Sequence, residues 1–137
     1  ELTESCKVSD PNGLRDDFEY FKNMGINMAL DDFGTEYSSI ALLRKLKPQW
    51  IKIDHTFVRS IQDDEMDQAI LEYIMNLSKQ TRIKVCVEGV ENAEILSVVQ
   101  TYAPELLQGY YYSKPCPAEE FSRKYFAGKD REVCPEK

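Results

Sequence analysis

The sequence predicts an α/β fold built around a parallel sheet, on two observations. Short apolar runs alternate with longer amphipathic segments along all 137 residues, and such alternation indicates strands joined by helical crossovers. Polar residues also stand where nearly every predicted strand ends. The carboxyl ends of parallel strands lie together, so we expect these side chains to converge. No linker, repeat or low-complexity segment interrupts the pattern, and the length suits one domain.

Five strands, counted with their exits, are predicted from the apolar runs. The segment ELTES at residues 1–5 resembles the end of the first strand. The other four occupy residues 26–32, 50–54, 83–91 and 106–115. Tyr110 to Tyr112, in the last of these, have a second interpretation as core packing and edge filling.

Five amphipathic helices are predicted between and after the strands, at residues 11–25, 37–48, 63–81, 92–104 and 117–128. The first has Leu14, Phe18 and Phe21 at helical spacing, with Pro11 near its start and Gly25 at its end. The third is predicted to bury one face that carries Met66, Ala69, Ile70, Tyr73, Ile74 and Leu77.

The composition excludes some classes of function. The net charge of −7, from 17 basic and 24 acidic residues, argues against gripping long nucleic acid by bulk electrostatics. A small phosphorylated ligand remains compatible if metal ions neutralise the site. No apolar run has the length of a membrane span, so no membrane segment is expected in this chain. The four cysteines are scattered without a CxxC pair, which favours a buried thiol at Cys86 and a reducing cytoplasm.

The polar residues at the strand ends predict a metal site. They are Glu1, Asp31, Asp32, Lys52, Asp54, Glu88, Glu91, Gln108 and Lys114. Several carboxylates on one face would repel one another strongly, and a divalent cation resolves this repulsion. Oxygen ligands favour Mg²⁺, Mn²⁺ or Ca²⁺. A carboxylate cluster that bridges two such ions suits the cleavage of phosphoesters.

Each of these residues also has a simpler interpretation. A single strand-end acid is more often a turn residue or a helix N-cap, and the pair Asp31–Asp32 before a glycine is also a turn signal. Lys52 would serve equally as an interior lysine paired with one acid. His55 is interpreted as a surface or helix-start residue. The coincidence at all the strand ends favours the metal site, because the simpler interpretations are independent of one another.

The motifs ELTES, DDFGTEYSS, IKID, EGVE and QGYYYSKP, in this order, resemble the second half of an EAL domain, the bacterial cyclic-di-GMP phosphodiesterase family. The resemblance covers nearly the whole chain. It implies an incomplete TIM-type (β/α)8 barrel that supplies about strands four to eight with their helices. Residues 1–128 would be the C-terminal portion of the domain, and residues 129–137 a charged, disordered tail.

The resemblance also implies hydrolysis of cyclic-di-GMP to linear pGpG with Mg²⁺ or Mn²⁺. Glu1 and Asp31 would bind the first metal, and Asp31 would bridge to a second, with Asp32 and Glu88 nearby. Lys52 would hold or deprotonate the attacking water. The implied catalytic residues are Lys52, Glu88 and Gln108, of which Gln108 supports the metal-bound water or the substrate.

Further residues receive supporting roles from the resemblance. Glu4 would brace the loop after Asp32. Glu91, Tyr110, Lys114 and Pro115 would face the guanine bases or shape the pocket.

Two departures from the family pattern matter. The Glu-x-Leu motif, the Arg after it and the strand with a metal-binding Asn are absent from these residues, so we expect either a removed N-terminal half of the barrel or a second copy as partner. Glu36 stands where the family loop has glycine. The alternative is therefore a degenerate EAL module that binds cyclic-di-GMP or a protein without catalysis. An unrelated Mg²⁺-dependent barrel enzyme is a third, weaker hypothesis. The expected location is the cytoplasm, with any membrane anchor of the parent protein in other domains.

Overall fold

The computed structural model describes residues 1–3, 11–35 and 39–126, in which parallel strands alternate with helices. The strands are β1 (Leu2–Thr3), β2 (Ala29–Phe33), β3 (Trp50–Ile53), β4 (Lys84–Val87) and β5 (Leu106–Leu107). All neighbouring strands pair in parallel, and their order in the sheet is their order in the chain. This is the arrangement of one part of a (β/α)8 barrel wall. The predicted fold class is confirmed.

Within the described residues, five α-helices connect or follow the strands. They are α1 (Pro11–Asn23), α2 (Ser39–Leu46), α3 (Glu65–Thr81), α4 (Ala93–Val99) and α5 (Ala118–Phe126). Two short 3-10 helices lie at His55–Phe57 and Gln100–Tyr102. None of the described helices is both long enough and apolar enough to cross a membrane.

Side-chain caps determine where two of the helices begin. The carboxylate of Asp64 accepts hydrogen bonds from the backbone N–H groups of Met66 and Asp67, at 2.8 and 3.2 Å. Asn92 caps α4 in the same way through the N–H of Ile95, at 2.8 Å. Such caps satisfy donors that have no partner within the helix. The two caps therefore orient the helices that follow β3 and β4.

The core lies between the sheet and its helices. Ile51, Ile53, Val85 and Val87 are almost fully buried and alternate along β3 and β4 with residues of the opposite face. The opposite face carries Lys52, which is half-buried. The side chains at the strand exits are therefore held on a rigid apolar support.

The face of α3 that is buried differs from the predicted one. Met66 and Tyr73 are 68% and 58% exposed, whereas Leu71, Met75 and Ser78 join Ile74 in the interior. The helix carries apolar residues on more than one side, and contact with β4 selects the side that is buried. Periodicity alone did not distinguish the two sides.

The region after β5 also differs from one interpretation of the sequence. Regular pairing ends at Leu107, and the chain continues in turns. Tyr110, Tyr111 and Tyr112 are 56%, 46% and 49% exposed, so the interpretation as core packing was wrong. Residues 127–137 lie outside the described part of the chain, and the boundary and tail proposed for residues 128 and 129–137 stay predictions.

Candidate metal centre

A bulge in β2 explains why two aspartates stand side by side. Leu30 pairs with Ile51 and Phe33 pairs with Ile53, so Asp31 and Asp32 together oppose one residue of β3. Asp32 takes the left-handed backbone conformation with φ of +54°. On a regular strand the two side chains would point to opposite faces. The bulge and the left-handed residue turn both carboxylates toward the same place, and the sequence pattern gave no sign of this bulge.

Three carboxylates meet at the C-terminal ends of the strands. One oxygen each of Asp31, Asp32 and Glu88 lies within 4.8 Å of the others. Glu88 directly follows β4, where its backbone N–H donates to the carbonyl of Ile53 at 3.1 Å. The convergence expected from the sequence is therefore present for these three residues.

The Lys52 ammonium group lies among the carboxylates. Its Nζ is 2.8 Å from Asp31 Oδ1, 2.9 Å from Glu88 Oε1 and 3.3 Å from Glu1 Oε1. The side chain of Lys52 is only 13% exposed, and those of Asp31 and Glu88 are 16% exposed each. Glu1 is more open, at 58%. Lys52 thus neutralises part of a charge cluster that has little access to water.

The electrostatics of the cluster shift the pKa values of Lys52 and Asp32. Burial by itself lowers the pKa of Lys52, but the hydrogen bonds that its ammonium group donates to Asp31 and Glu88, together with the charges of these carboxylates, raise it well above its usual value. Burial and the neighbouring Asp31 carboxylate raise the pKa of Asp32. Lys52 is therefore protonated throughout the physiological range, and Asp32 carries an unfavourable charge that a cation would stabilise.

The donor set fits a hard divalent cation. Carboxylate oxygens are the ligands that Mg²⁺ and Mn²⁺ prefer. The Asp31, Asp32 and Glu88 oxygens are close enough to share one ion, and an ammonium cation already contacts two of these residues. Both observations indicate a site of high negative potential. Glu1, which directly precedes the edge strand β1, contacts Lys52 beside these three carboxylates.

A cleft of about 330 Å³ opens beside the carboxylates. It is lined by His55, Glu88, Gly89, Glu91, Gln108, Gly109 and Tyr110. Gln108 follows β5, and its backbone N–H donates to the carbonyl of Val87 at 2.8 Å. The cleft therefore brings Glu91, Gln108 and Tyr110, which were predicted to support catalysis or bind substrate, next to Glu88, a predicted metal ligand.

Close backbone contact between two strand exits forms the floor of this cleft. The N–H of Val90 donates to the carbonyl of Gln108 at 3.1 Å. A Cβ added at Gly109 would collide with the backbone of Val90. Only glycine allows these two backbone segments to approach each other this closely. The glycine of the QGYYYSKP segment thus sets the position of Gln108 relative to Glu88.

Of the two remaining predicted substrate residues, Lys114 and Pro115, only Lys114 lies beside a residue of the cleft. The Lys114 ammonium group lies over the Tyr110 ring, 5.3 Å from its centroid. Pro115 is exposed, and neither Lys114 nor Pro115 belongs to the lining of the cleft. Lys114 is therefore connected to the cleft through Tyr110, whereas Pro115 is not brought to it.

Two residues directly after β3, Asp54 and His55, have roles in the structure that differ from the convergence expected for the strand-end residues. The Asp54 carboxylate accepts from the N–H and the hydroxyl of Thr56 at 2.9 and 2.6 Å, so it caps the 3-10 helix rather than joining the cluster. His55 begins that helix, as expected, with Nδ1 3.0 Å from Asp54 Oδ2. It also lines the cleft. The position of His55 directly after the IKID motif was the sequence signal that could have indicated a place in the cleft.

Glu4, predicted to brace the loop, and Glu36, which replaces the loop glycine, lie outside the described residues. Their roles stay predictions.

Comparison with known proteins gives a consistent family assignment. A family model for the EAL domain matches residues 1–115. The chain is 34% identical over 128 residues to the cyclic di-GMP phosphodiesterase NbdA of Pseudomonas aeruginosa. That match covers 91% of this chain and 16% of NbdA. The chain therefore spans less than a fifth of this curated relative.

Solved structures resemble the chain in three dimensions as well. The EAL domain of Mycobacterium smegmatis DcpA has a TM-score of 0.85 and 30% identity, over 93% of this chain and 57% of that one. A manganese/cy-diGMP complex of Klebsiella pneumoniae BlrP1 has a TM-score of 0.77 and 32% identity, over 83% of this chain and 29% of that one. Similarity at this level extends over nearly all the described elements.

Proposed function

The chain belongs to the EAL domain family, and we propose that it contributes the metal centre and part of the substrate cleft of a cyclic-di-GMP phosphodiesterase. The reaction would be metal-dependent hydrolysis of the cyclic dinucleotide to linear pGpG. The observation that carries the proposal is the junction of Asp31, Asp32 and Glu88 around Lys52, beside the cleft with Gln108. The relatives named above support the choice of substrate.

Asp31, Asp32 and Glu88 would hold the cation, with Glu1 as a further ligand from the edge strand. The manganese complex of BlrP1 supports Mn²⁺ as one occupant, and the oxygen donor set suits Mg²⁺ equally. When bound, a divalent cation would neutralise the carboxylate charge and would supply Lewis-acid activation of the phosphodiester.

The raised pKa of Lys52 supports one of its two suggested roles. An amine that stays protonated donates hydrogen bonds, but it does not accept a proton from water. In the metal-free cluster Lys52 would therefore hold the attacking water or a phosphate oxygen, while its contacts to Asp31 and Glu88 hold both carboxylates in place. Glu88 borders both the cluster and the cleft, so it would act beside Lys52 on the attacking water.

Residues of the cleft would bind and orient the dinucleotide. Gln108 offers an amide donor and acceptor beside Glu88. Tyr110 presents an exposed ring for stacking against a base, with the Lys114 cation on that ring. Glu91, exposed at the rim, is suited to accept hydrogen bonds from the Watson–Crick edge of guanine. These contacts select a guanine nucleotide, whereas the metal and Lys52 handle the phosphate.

The remaining barrel strands would come from an N-terminal half or from a second copy of the domain. The described sheet ends at β1 and β5, which have no partner on their outer sides within the described residues. Closure of a (β/α)8 barrel pairs both edges. A cytoplasmic location follows from the proposed substrate, which is a soluble signalling nucleotide.

The proposal is tested by pGpG release from cyclic-di-GMP by the full-length protein, with Mg²⁺ or Mn²⁺ present. Wild type should turn over, and Asp31→Asn should not, although its fold by circular dichroism is intact. Asp63→Asn, at an exposed acid away from the site, is the matched control and should retain activity. Tight binding of the dinucleotide without turnover by wild type would favour the non-catalytic alternative. Near-normal turnover by Asp31→Asn would contradict the assignment of the site.

A further inference from the structure

A second and larger cleft lies at the opposite end of the sheet from the carboxylates. Its volume is about 680 Å³, within the usual range for small-molecule sites. Trp50 and Lys84, the first residues of β3 and β4, line it together with the C-terminal halves of α2 and α3. The proposed phosphodiesterase chemistry makes no use of this cleft.

The interior of the cleft is apolar and recessed. Leu43 and Ile83 are buried at its base, and Trp50 and Leu77 are half-buried in its walls. Tyr73, which the sequence analysis had placed in the core, stands 58% exposed at this cleft. This apolar surface between two helices has room for a narrow apolar group.

The rim of the cleft has the opposite character, because every charged residue that lines it is a cation. These are Arg44, Lys47, Arg82 and Lys84, and the described lining contains no carboxylate. Within residues 1–3, 11–35 and 39–126 none of the four forms a salt bridge. This concentration of unpaired positive charge occurs in a chain of net charge −7.

Two of these cations occupy strained backbone positions. Lys47 and Arg82 directly follow α2 and α3. They have φ of +46° and +60°, in the left-handed region where glycine is the usual residue. Their side chains add charge at the mouth of the cleft at a conformational cost. Glycine at either position would remove the charge and fit the backbone, which makes these two positions favourable for a test.

We propose that this cleft binds a single-chain anionic amphiphile, with the apolar chain between α2 and α3 and the carboxylate or phosphate head among the rim cations. Charge complementarity selects the anionic head, and the recessed apolar walls select the chain. One of the rim cations, Lys84, lies over the Trp50 ring, with its Nζ 5.2 Å from the ring centroid, so the proposed site of the anionic head adjoins the indole. Occupancy should therefore change the emission of Trp50, the one tryptophan in this sequence.

The test is a fluorescence titration of the full-length protein with decanoate below its micelle concentration, with Trp50→Phe as the reference that isolates the Trp50 signal. Decanoate and decyl phosphate should give a saturable change. Decyltrimethylammonium, with the same chain and the opposite charge, and acetate, with the head alone, should bind at least about tenfold more weakly, a difference of about 1.4 kcal/mol. Equal responses to decanoate and decyltrimethylammonium would overturn the proposal.

Variants locate the binding within the cleft. Lys47→Gly and Arg82→Gly should each weaken decanoate binding about two- to fivefold, as expected for single exposed charge contacts, without loss of thermal stability. Arg59→Gln removes an exposed cation elsewhere and should bind as wild type. Tyr73→Gln should weaken decanoate binding by removing part of the apolar wall.

Three further outcomes would contradict the proposal. Unchanged affinity in Lys47→Gly and Arg82→Gly would mean that these cations serve only the helix C-termini. A Trp50 response to phosphatidylglycerol vesicles but not to decanoate would assign the cleft to a membrane surface. A Trp50 response to dilution of the protein alone would assign it to a second copy.

Discussion

At the scale of single residues, the site depends on a balance between Lys52 and the carboxylates around it. Lys52→Gln removes the cation that contacts Asp31, Glu88 and Glu1. We expect the free energy of unfolding in EDTA to fall by about 1–3 kcal/mol, because charged hydrogen bonds are lost and the carboxylates repel. Mn²⁺ should raise the melting temperature of this variant more than that of wild type, because no ammonium group competes for the carboxylates.

Differential scanning fluorimetry in EDTA and in Mn²⁺ measures both effects. Lys79→Gln, at an exposed position of α3, is the control and should match wild type. An equal Mn²⁺ shift in Lys52→Gln and wild type would mean that Lys52 and the metal do not share the same carboxylates.

Asp32 gives a prediction with a defined pH dependence. Its pKa is raised in the folded state by burial and by Asp31, so the folded protein binds this proton more tightly than the unfolded chain does. The stability contribution is fully present below the ordinary pKa of 3.8 and is lost as the pH rises through the raised value.

Asp32→Asn should therefore raise the melting temperature at neutral pH in EDTA. Asparagine also accepts the left-handed backbone at this position. The gain should disappear below about pH 3.8, where the wild-type carboxyl is neutral, and Mn²⁺ should stabilise the variant less than wild type. A lower melting temperature of Asp32→Asn at neutral pH in EDTA would show that the charge is favourable without metal.

At the scale of secondary-structure elements, the exits of β4 and β5 are held together by a glycine. Gly109→Ala places a methyl group against the backbone of Val90 and should cost on the order of 1–3 kcal/mol of stability. It should also weaken cyclic-di-GMP binding, because Gln108 moves away from Glu88.

Gly25→Ala is the matched control. Gly25 has φ of +77° but no atom within 4 Å of an added Cβ, so the substitution strains the backbone without changing a contact. It should cost about 1 kcal/mol and leave nucleotide affinity unchanged. Equal affinity losses in the two variants, measured by isothermal titration calorimetry, would refute the positioning role of Gly109.

The elements also show what a sequence pattern can and cannot predict. Strand–helix alternation and strand-end acids were sufficient for the parallel sheet and for the proximity of the strand ends that carry Asp31 and Glu88, because parallel topology brings those ends together. Asp32 joins them only through the bulge in β2. The helix N-cap interpretation of a strand-end acid holds for Asp54, but the bulge in β2 and the buried side of α3 were not predictable. Each depends on which neighbour a residue meets, and local periodicity contains no information on tertiary neighbours.

At the scale of the whole molecule, the described sheet has two open edges. Chain segments β1 and β5 form these edges, and Leu106 in β5 is 52% exposed. Open strand edges and apolar surface promote association. Residues 1–137 expressed alone should therefore self-associate and release no pGpG, as measured by size-exclusion chromatography with light scattering and by a nucleotide assay. A monodisperse, active monomer of these residues would contradict this expectation.

Addition of a separately expressed N-terminal half of an EAL barrel, taken from a relative such as DcpA, should reduce the association. Strand pairing at the two edges would drive the reassembly. A half-barrel with charged substitutions on its edge strands is the control and should have no effect. Unchanged association with both partners would mean that the edges are not the contact surfaces.

The central claim is that Asp31, Asp32 and Glu88 form one divalent-cation site. Its most direct test is a Mn²⁺ titration of the metal-free full-length protein, followed by electron paramagnetic resonance of the free ion. We predict that Asp31→Asn and Glu88→Gln each weaken Mn²⁺ binding by about tenfold or more, while Asp63→Asn binds as wild type. Equal Mn²⁺ affinity in wild type, Asp31→Asn and Glu88→Gln would contradict the claim.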